Sequence, residues 1–161
     1  MRRWSVQTGQ CLQVYRGHTY PVFSLALLLS GNIVSGSADR SIKVWDRLTG
    51  ECLHTLTGHD NRVYGITVCL NGDLVSASFD KSLRVWRLGS THNAQYVCHQ
   101  VIANAHSSFV SCVTNIPGSD DLLSGSNDST VKLWRRANPT ADYTCVRTFA
   151  GHTDDVAGQA Q

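Results

Sequence analysis

Apolar and polar positions along this chain follow one short pattern written three times. It reads SGSADRSIKVW from Ser35 to Trp45, SASFDKSLRVW from Ser76 to Trp86, and SGSNDSTVKLW from Ser124 to Trp134. Each copy ends an apolar run, turns on small residues and Asp, and starts a second apolar run that finishes in Trp. Small residues and Asp favour the turn and β-branched residues the returning strand, so each copy predicts a tight β-hairpin. Three copies of one hairpin predict a repeat array.

Strands are expected at residues 11–15, 22–29, 33–37 and 42–45 in the first unit. The second unit, at a 41-residue step from His18 to His59, predicts strands at 52–56, 63–70, 74–78 and 83–86, with Asn71-Gly72 as a strong hairpin signal. The third unit steps by 47 residues to His106; most of the extra length is a polar loop at 88–95, and one residue falls in the 117–121 turn. Its strands are expected at 96–103, 109–115, 122–126 and 131–134. A fourth unit opens at 143–149 and continues through Gly151-His152 to Val156. Trp4 lies fourteen residues before His18, as Trp45 lies before His59, so residues 1–6 read as the tail of an earlier unit whose hairpin partner is missing. The expected organisation is a partial unit at 1–6, complete units at 10–46, 51–87 and 95–135, and a partial unit at 143–157.

Composition sharpens this picture. Charged residues are 16% of the 161-residue chain, against ~25% in an average domain. Among the twelve acids only Glu51 is a glutamate, which argues for strands and turns over helices. The net charge of +2 comes from scattered basic residues with no dense stripe, so no nucleic-acid partner is expected. The longest apolar run, 22–29, is too short to span a bilayer as a helix, and Arg2-Arg3 lead into Trp4-Ser5-Val6-Gln7 without an apolar stretch. No membrane association or signal peptide is expected, and the chain reads as cytoplasmic or nuclear. Cys11, Cys52 and Cys145 each stand seven residues before a repeat His, so they are one structural position, read as buried free thiols in a reducing compartment.

Each unit carries His, Ser, Asp and Trp at fixed spacing: His18, Ser35, Asp39, Trp45; His59, Ser76, Asp80, Trp86; and His106, Ser124, Asp128, Trp134. Ser, His and Asp invite a hydrolase reading, but an enzyme needs one site, the set recurs three times with a Trp added, and no Gly-x-Ser-x-Gly elbow is present. Indole N–H only donates, hydroxyl and imidazole do both, and carboxylate accepts, so Trp–Ser–His–Asp can form a fully satisfied hydrogen-bond ladder. The seven His and six Cys show no Cys-x-x-Cys and no zinc-finger spacing. No metal, cofactor or catalytic residue is expected. Asn127-Asp128-Ser129 fits a glycosylation acceptor but falls in a tight turn with no signal peptide ahead of it.

A Gly-His pair, then about 27 residues to a Trp that is followed in one unit by Asp (Trp45-Asp46), resembles the WD repeat of β-propellers. The match recurs in register three times, departing at Ala105-His106 and where Arg87 and Arg135 replace the Asp. The resemblance implies an all-β fold of β-propeller blades, each of four antiparallel strands, and with only three complete units an open arc of a longer propeller. It implies that the twelve ladder residues tie the outer loop to the inner hairpin. It also implies that three positions per blade rise to the face where the turns gather and contact partners. These are Pro21, Phe23 and Ala38; Arg62, Tyr64 and Phe79; and Phe109, Ser111 and Asn127. Four of the nine are aromatic and one is Arg, types that anchor interfaces, although aromatics are 8% of the chain. The expected function is a non-catalytic scaffold for a protein or peptide, with His92 and Asn93 on the opposite side. The rivals are a recognition adaptor of a ubiquitin ligase or signalling complex, and an incomplete piece of a longer protein. Uncovered blade faces are expected to favour self-association.

Overall fold

The computed structural model describes residues 1–90 and 94–158, so His92 and Asn93 lie outside the described residues. Fourteen strands run in chain order: β1 Arg2–Trp4, β2 Cys11–Val14, β3 Val22–Leu27, β4 Ile33–Ser37, β5 Ile42–Trp45, β6 Cys52–Leu56, β7 Val63–Val68, β8 Leu74–Ser78, β9 Leu83–Leu88, β10 Tyr96–Ile102, β11 Val110–Asn115, β12 Leu122–Ser126, β13 Thr130–Arg135 and β14 Thr144–Ala150. They form three four-stranded antiparallel sheets, β3 to β6, β7 to β10 and β11 to β14, and a two-stranded sheet of β1 and β2. Several strands are shorter than the apolar runs suggest. Leu28 and Leu29 leave β3 because the chain turns there, with Gly31 N–H donating to Leu28 C=O at 2.8 Å.

The sheets are offset by one strand from the sequence units. The strand that opens each unit is the outer strand of the preceding sheet: Trp45 pairs with Cys52, Trp86 with Cys98, and Trp134 with Cys145. The connections explain why. After Trp45 the chain reverses tightly, with Asp46 accepting the N–H groups of Leu48 and Thr49 at 2.8 Å, so β6 must return alongside β5. The loop that then carries His59 crosses to the next sheet. The 143–149 run therefore completes the third sheet rather than opening a fourth, and Trp4 pairs with Cys11 in the small sheet.

The same offset corrects the reading of the cysteines. Cys11, Cys52, Cys98 and Cys145 are exposed: each lies on an outer strand, paired with a Trp at a register shift. Their thiols rest near the carbonyl two residues on, at 3.4–3.7 Å for Cys52 and Cys11. Cys69 is the buried one, and all six are free.

Neighbouring sheets dock through their inner strands. A Cβ on Gly36 would stand 2.7 Å from Val63 of the next sheet, and one on Gly125 would stand 2.7 Å from Val156, in the segment that follows the third sheet. Two buried apolar clusters fill the spaces, one around Val34, Ile42, Val63 and Trp86, the other around Val75, Leu83, Val110 and Trp134. The sheets do not close into a ring. Leu25 and Leu27 of β3 are 58% and 65% exposed, and β14 is exposed throughout, so the assembly is an open arc of blades.

Candidate functional site

Each repeated hairpin turns on three residues. Ser37 N–H donates to Ser41 C=O and Arg40 N–H to Ser37 C=O, both at 3.2 Å, and the residue after Asp takes a positive φ: 68° at Arg40, 69° at Lys81 and 61° at Ser129. The turn holds Asp39 upright, with its Oδ1 accepting Ser41 N–H at 3.0 Å and Ser41 Oγ–H at 2.6 Å.

From that carboxylate a chain of hydrogen bonds runs inward. His18 Nδ1 lies 2.7 Å from Asp39 Oδ2, His18 Nε2 lies 2.7 Å from Ser35 Oγ, and Trp45 Nε1 donates to Ser35 Oγ at 2.8 Å. The second set repeats it at 2.8, 2.7 and 2.9 Å through His59, Ser76 and Trp86. The third has His106 Nδ1 at 3.0 Å from Asp128, Nε2 at 2.7 Å from Ser124, and Trp134 donating at 2.8 Å. One proton arrangement satisfies every atom: Nδ1–H donates to the carboxylate, and the bare Nε2 accepts from serine, whose oxygen accepts from indole. Ser–His–Asp distances alone would suit a nucleophile. But Ser35, Ser76 and Ser124 are at most 1% exposed under an indole, so no carbonyl can reach them.

Burial pushes the His18 and His106 imidazoles below their ordinary range, against the pull of Asp39 and Asp128. Burial would raise the Asp39 carboxyl, but hydrogen bonds from Ser41, His18 and the N–H of Thr19 outweigh it and hold it at about 2. Asp80 and Asp128 are lowered in the same way. Protonating His18 would set a second N–H against Ser35 Oγ, which must then turn its hydrogen to Lys43 C=O at 3.5 Å. The unfolded chain binds more protons than the folded one below about pH 6.5 through histidine, and again below about pH 3.9 through the carboxylates. Stability should therefore fall as pH drops, first from about 6.5 and again from about 3.9 down to Asp39's value of about 2. In thermal melts each kcal/mol lost lowers Tm by about 2–4 °C. An unchanged Tm between pH 7 and pH 5 would contradict the neutral imidazoles.

The sequence reading missed members of this network. Ser82 and Thr130 repeat the role of Ser41, each donating to its turn Asp at 2.6 Å. Ser37, Ser78 and Ser126 donate to loop carbonyls and accept the N–H of the same Asp. The signal was present: a serine two residues before each Asp and a hydroxyl two residues after it, in all three copies.

The nine expected contact positions sit at the same end as the turns. Six of them are tied in pairs by backbone: Ala38 N–H donates to Pro21 C=O at 2.9 Å, Phe79 to Arg62 at 3.0 Å and Asn127 to Phe109 at 3.2 Å. Four of them meet in one aromatic cluster across three sheets. Phe23 lies 4.8 Å from Tyr64, Tyr64 6.2 Å from Phe79 and 6.0 Å from Phe109, and Phe79 stacks on Phe109 at 4.7 Å with rings 6° apart. Phe23 and Phe79 remain 40% and 39% exposed. Pro21 and Arg62 are exposed beside them, and Ala38 and Asn127 are half-buried. Ser111 takes the place of an aromatic in the third sheet, and its Oγ is buried without a hydrogen-bond partner among the described residues.

The family model described as "WD domain, G-beta repeat" matches residues 9–46, 50–87 and 96–135. The chain belongs to the WD-repeat family. WD repeats are generally protein-interaction scaffolds and typically non-enzymatic. Curated relatives include the periodic tryptophan protein 2 homolog of Schizosaccharomyces pombe, 50% identical over 44 residues, which are 27% of this chain and 5% of the relative. The protein of that name in Neurospora crassa is 54% identical over 43 residues, 26% of this chain and 5% of its own length. An uncharacterized WD repeat-containing protein of S. pombe is 45% identical over 47 residues, 29% of this chain and 13% of its own length. The matched stretches thus span a small part of each relative.

The departures from the WD pattern have structural partners. Arg87 replaces the Asp after Trp86 and pairs with Asp73 at 2.9 Å, and Arg135 replaces it after Trp134 and grips Asp121 through two nitrogens. In the first WD unit the positions are Asp46 and Asn32, so both members of the pair change together. Gly17 and Gly58 take φ of 148° and 149°, whereas in the third unit the positive φ falls on Asn104 and Ala105 stands in place of glycine.

Proposed function

We propose that the chain is a non-catalytic scaffold that receives a protein or peptide on the face where the turns gather, through Pro21, Phe23, Ala38, Arg62, Tyr64, Phe79, Phe109, Ser111 and Asn127. The observation that carries this reading is the aromatic cluster. Phe23, Tyr64, Phe79 and Phe109 come from three sheets, yet they converge on one surface and leave Phe23 and Phe79 about two-fifths exposed. A single exposed aromatic needs no explanation, but a contiguous group beside an exposed Arg has the composition of an interface centre. The ladder residues hold the hairpins that present this surface, and their enclosed serines supply no chemistry. Six free thiols suit a cytoplasmic or nuclear setting.

Replacing Tyr64 and Phe79 together by Ala should remove most captured partners in a quantitative pull-down while the thermal melt stays cooperative. Hot-spot aromatics cost about 2 kcal/mol or more each, a loss of roughly 30-fold or greater in affinity. An unchanged partner profile from a folded double variant would place binding elsewhere.

A further inference from the structure

Three exposed basic residues stand next to contact positions along the chain: Arg62 bonds Phe79 through its carbonyl, Lys81 lies two residues past Phe79, and Arg40 lies two residues past Ala38. Arg62 is exposed, and its carbonyl holds Phe79 in place. Arg40 and Lys81 are exposed at the tips of the first two hairpins. Five of the other basic residues are engaged: Lys43 with Thr55, Lys132 with the Ala105 carbonyl, and Arg87, Arg135 and Arg136 with carboxylates. Arg40, Arg62 and Lys81 form no ion pair among the described residues.

The tips are also unusual in their backbone. At φ of 68° and 69° glycine or asparagine is the relaxed choice, and the chain sets Arg40 and Lys81 there. Strain of this kind gathers at functional positions. The third hairpin has Ser129 at the equivalent tip, so the basic border covers only the side of the first two sheets. Asp60 is an exposed acid on the second loop. The turn carboxylates Asp39, Asp80 and Asp128 are no more than 10% exposed and committed to hydrogen bonds, so direct contact at the hairpin tips meets cations.

Resting on the docking face proposed above, we propose that its partner is a peptide segment with a bulky aromatic or aliphatic anchor flanked by Asp or Glu. The anchor lies on Tyr64, Phe79 and Phe109. The carboxylates meet Arg40, Arg62 and Lys81, with guanidinium and ammonium donors forming charge-assisted hydrogen bonds.

Fluorescence anisotropy on the full chain tests this with three labelled nonapeptides: a central Trp flanked by Asp and Glu, the same Trp flanked by Lys, and the acidic peptide with Ala for Trp. The acidic Trp peptide should bind at least about tenfold more tightly than either control and weaken as salt screens the charges. The variant R40G/R62Q/K81G removes the charges, and glycine suits both positive-φ tips, so it should keep its melt and lose the preference for acid over Lys. Equal affinity for the acidic and Lys peptides, abolished by Y64A/F79A, would overturn the charge assignment and leave the docking face standing. Tight binding that Y64A/F79A does not weaken would overturn both. Absence of measurable binding by the acidic Trp peptide would overturn the charge-matched anchor.

Discussion

Trp86→Ala is expected to lower the stability of the chain by about 3–5 kcal/mol, measured as the shift of a urea unfolding transition. The side chain is 2% exposed within the cluster that joins the first and second sheets, so its loss opens a cavity that two sheets share. The indole is also the terminal donor of a ladder. Without it Ser76 Oγ, which is fully buried, keeps its bond to His59 but loses the N–H donor at 2.9 Å. Trp4 supplies the control: it occupies the same repeat position in the small sheet, yet it is 51% exposed. Trp4→Ala should cost under about 1 kcal/mol, as surface substitutions do. Equal costs at the two positions would mean that ladder and cavity contribute nothing beyond the ordinary loss of an indole.

The second large effect is expected at Arg136, a residue that the repeat pattern does not single out. Its side chain is fully buried, with Nη1 3.0 Å from Asp73 Oδ2 and 3.0 Å from the Pro139 carbonyl. Nη2 lies 3.1 Å from Asp120, and the guanidinium sits 4.9 Å from the centre of the Tyr143 ring. Asp73 lies in the turn before β8 of the second sheet, with its side chain 4% exposed, so Arg136 fastens the loop after β13 onto that turn. Removing one partner of a buried pair costs about 3–5 kcal/mol. Asp73 keeps Arg87 as a second partner, which puts Arg136→Ala near the lower end, about 3 kcal/mol. Arg87→Ala should cost about 1 kcal/mol, because Arg87 is 26% exposed and its pair is partly solvated. Chemical denaturation of the two variants decides it; if Arg87→Ala were the more damaging, the lock between sheets would not run through Arg136.

What the sequence made legible was whatever repeats. The hairpins and the three sets of His, Ser, Asp and Trp were readable because an error in one copy is exposed by the other two, whereas the aromatic face positions, which differ between copies, rested on the family resemblance. The offset of the sheets was not readable. The run at 52–56 is equally compatible with the strand before it and the strand after it, and only the tight reversal capped by Asp46 decides between them. The cysteines followed that error: a thiol expected in a core is exposed once its strand is moved to the rim. Arg136 was illegible for a different reason. It occurs once, and its partners Asp73 and Asp120 are sixty-three and sixteen positions away, with no spacing rule to link them. The Arg87–Asp73 and Arg135–Asp121 pairs stood between these cases, since the same fourteen-residue separation is written twice.

The one-strand offset gives two kinds of loop in this chain unequal status. A break at 46–51 would part a rim strand from its own sheet, whereas a break at 57–62 would fall between sheets and leave each with its four strands. The sequence repeat and the folded blade are therefore out of phase: each repeated unit carries the rim of one blade joined to the inner three strands of the next. Successive units overlap like courses of brickwork, so no single unit can be lifted out without also uncovering the one before it.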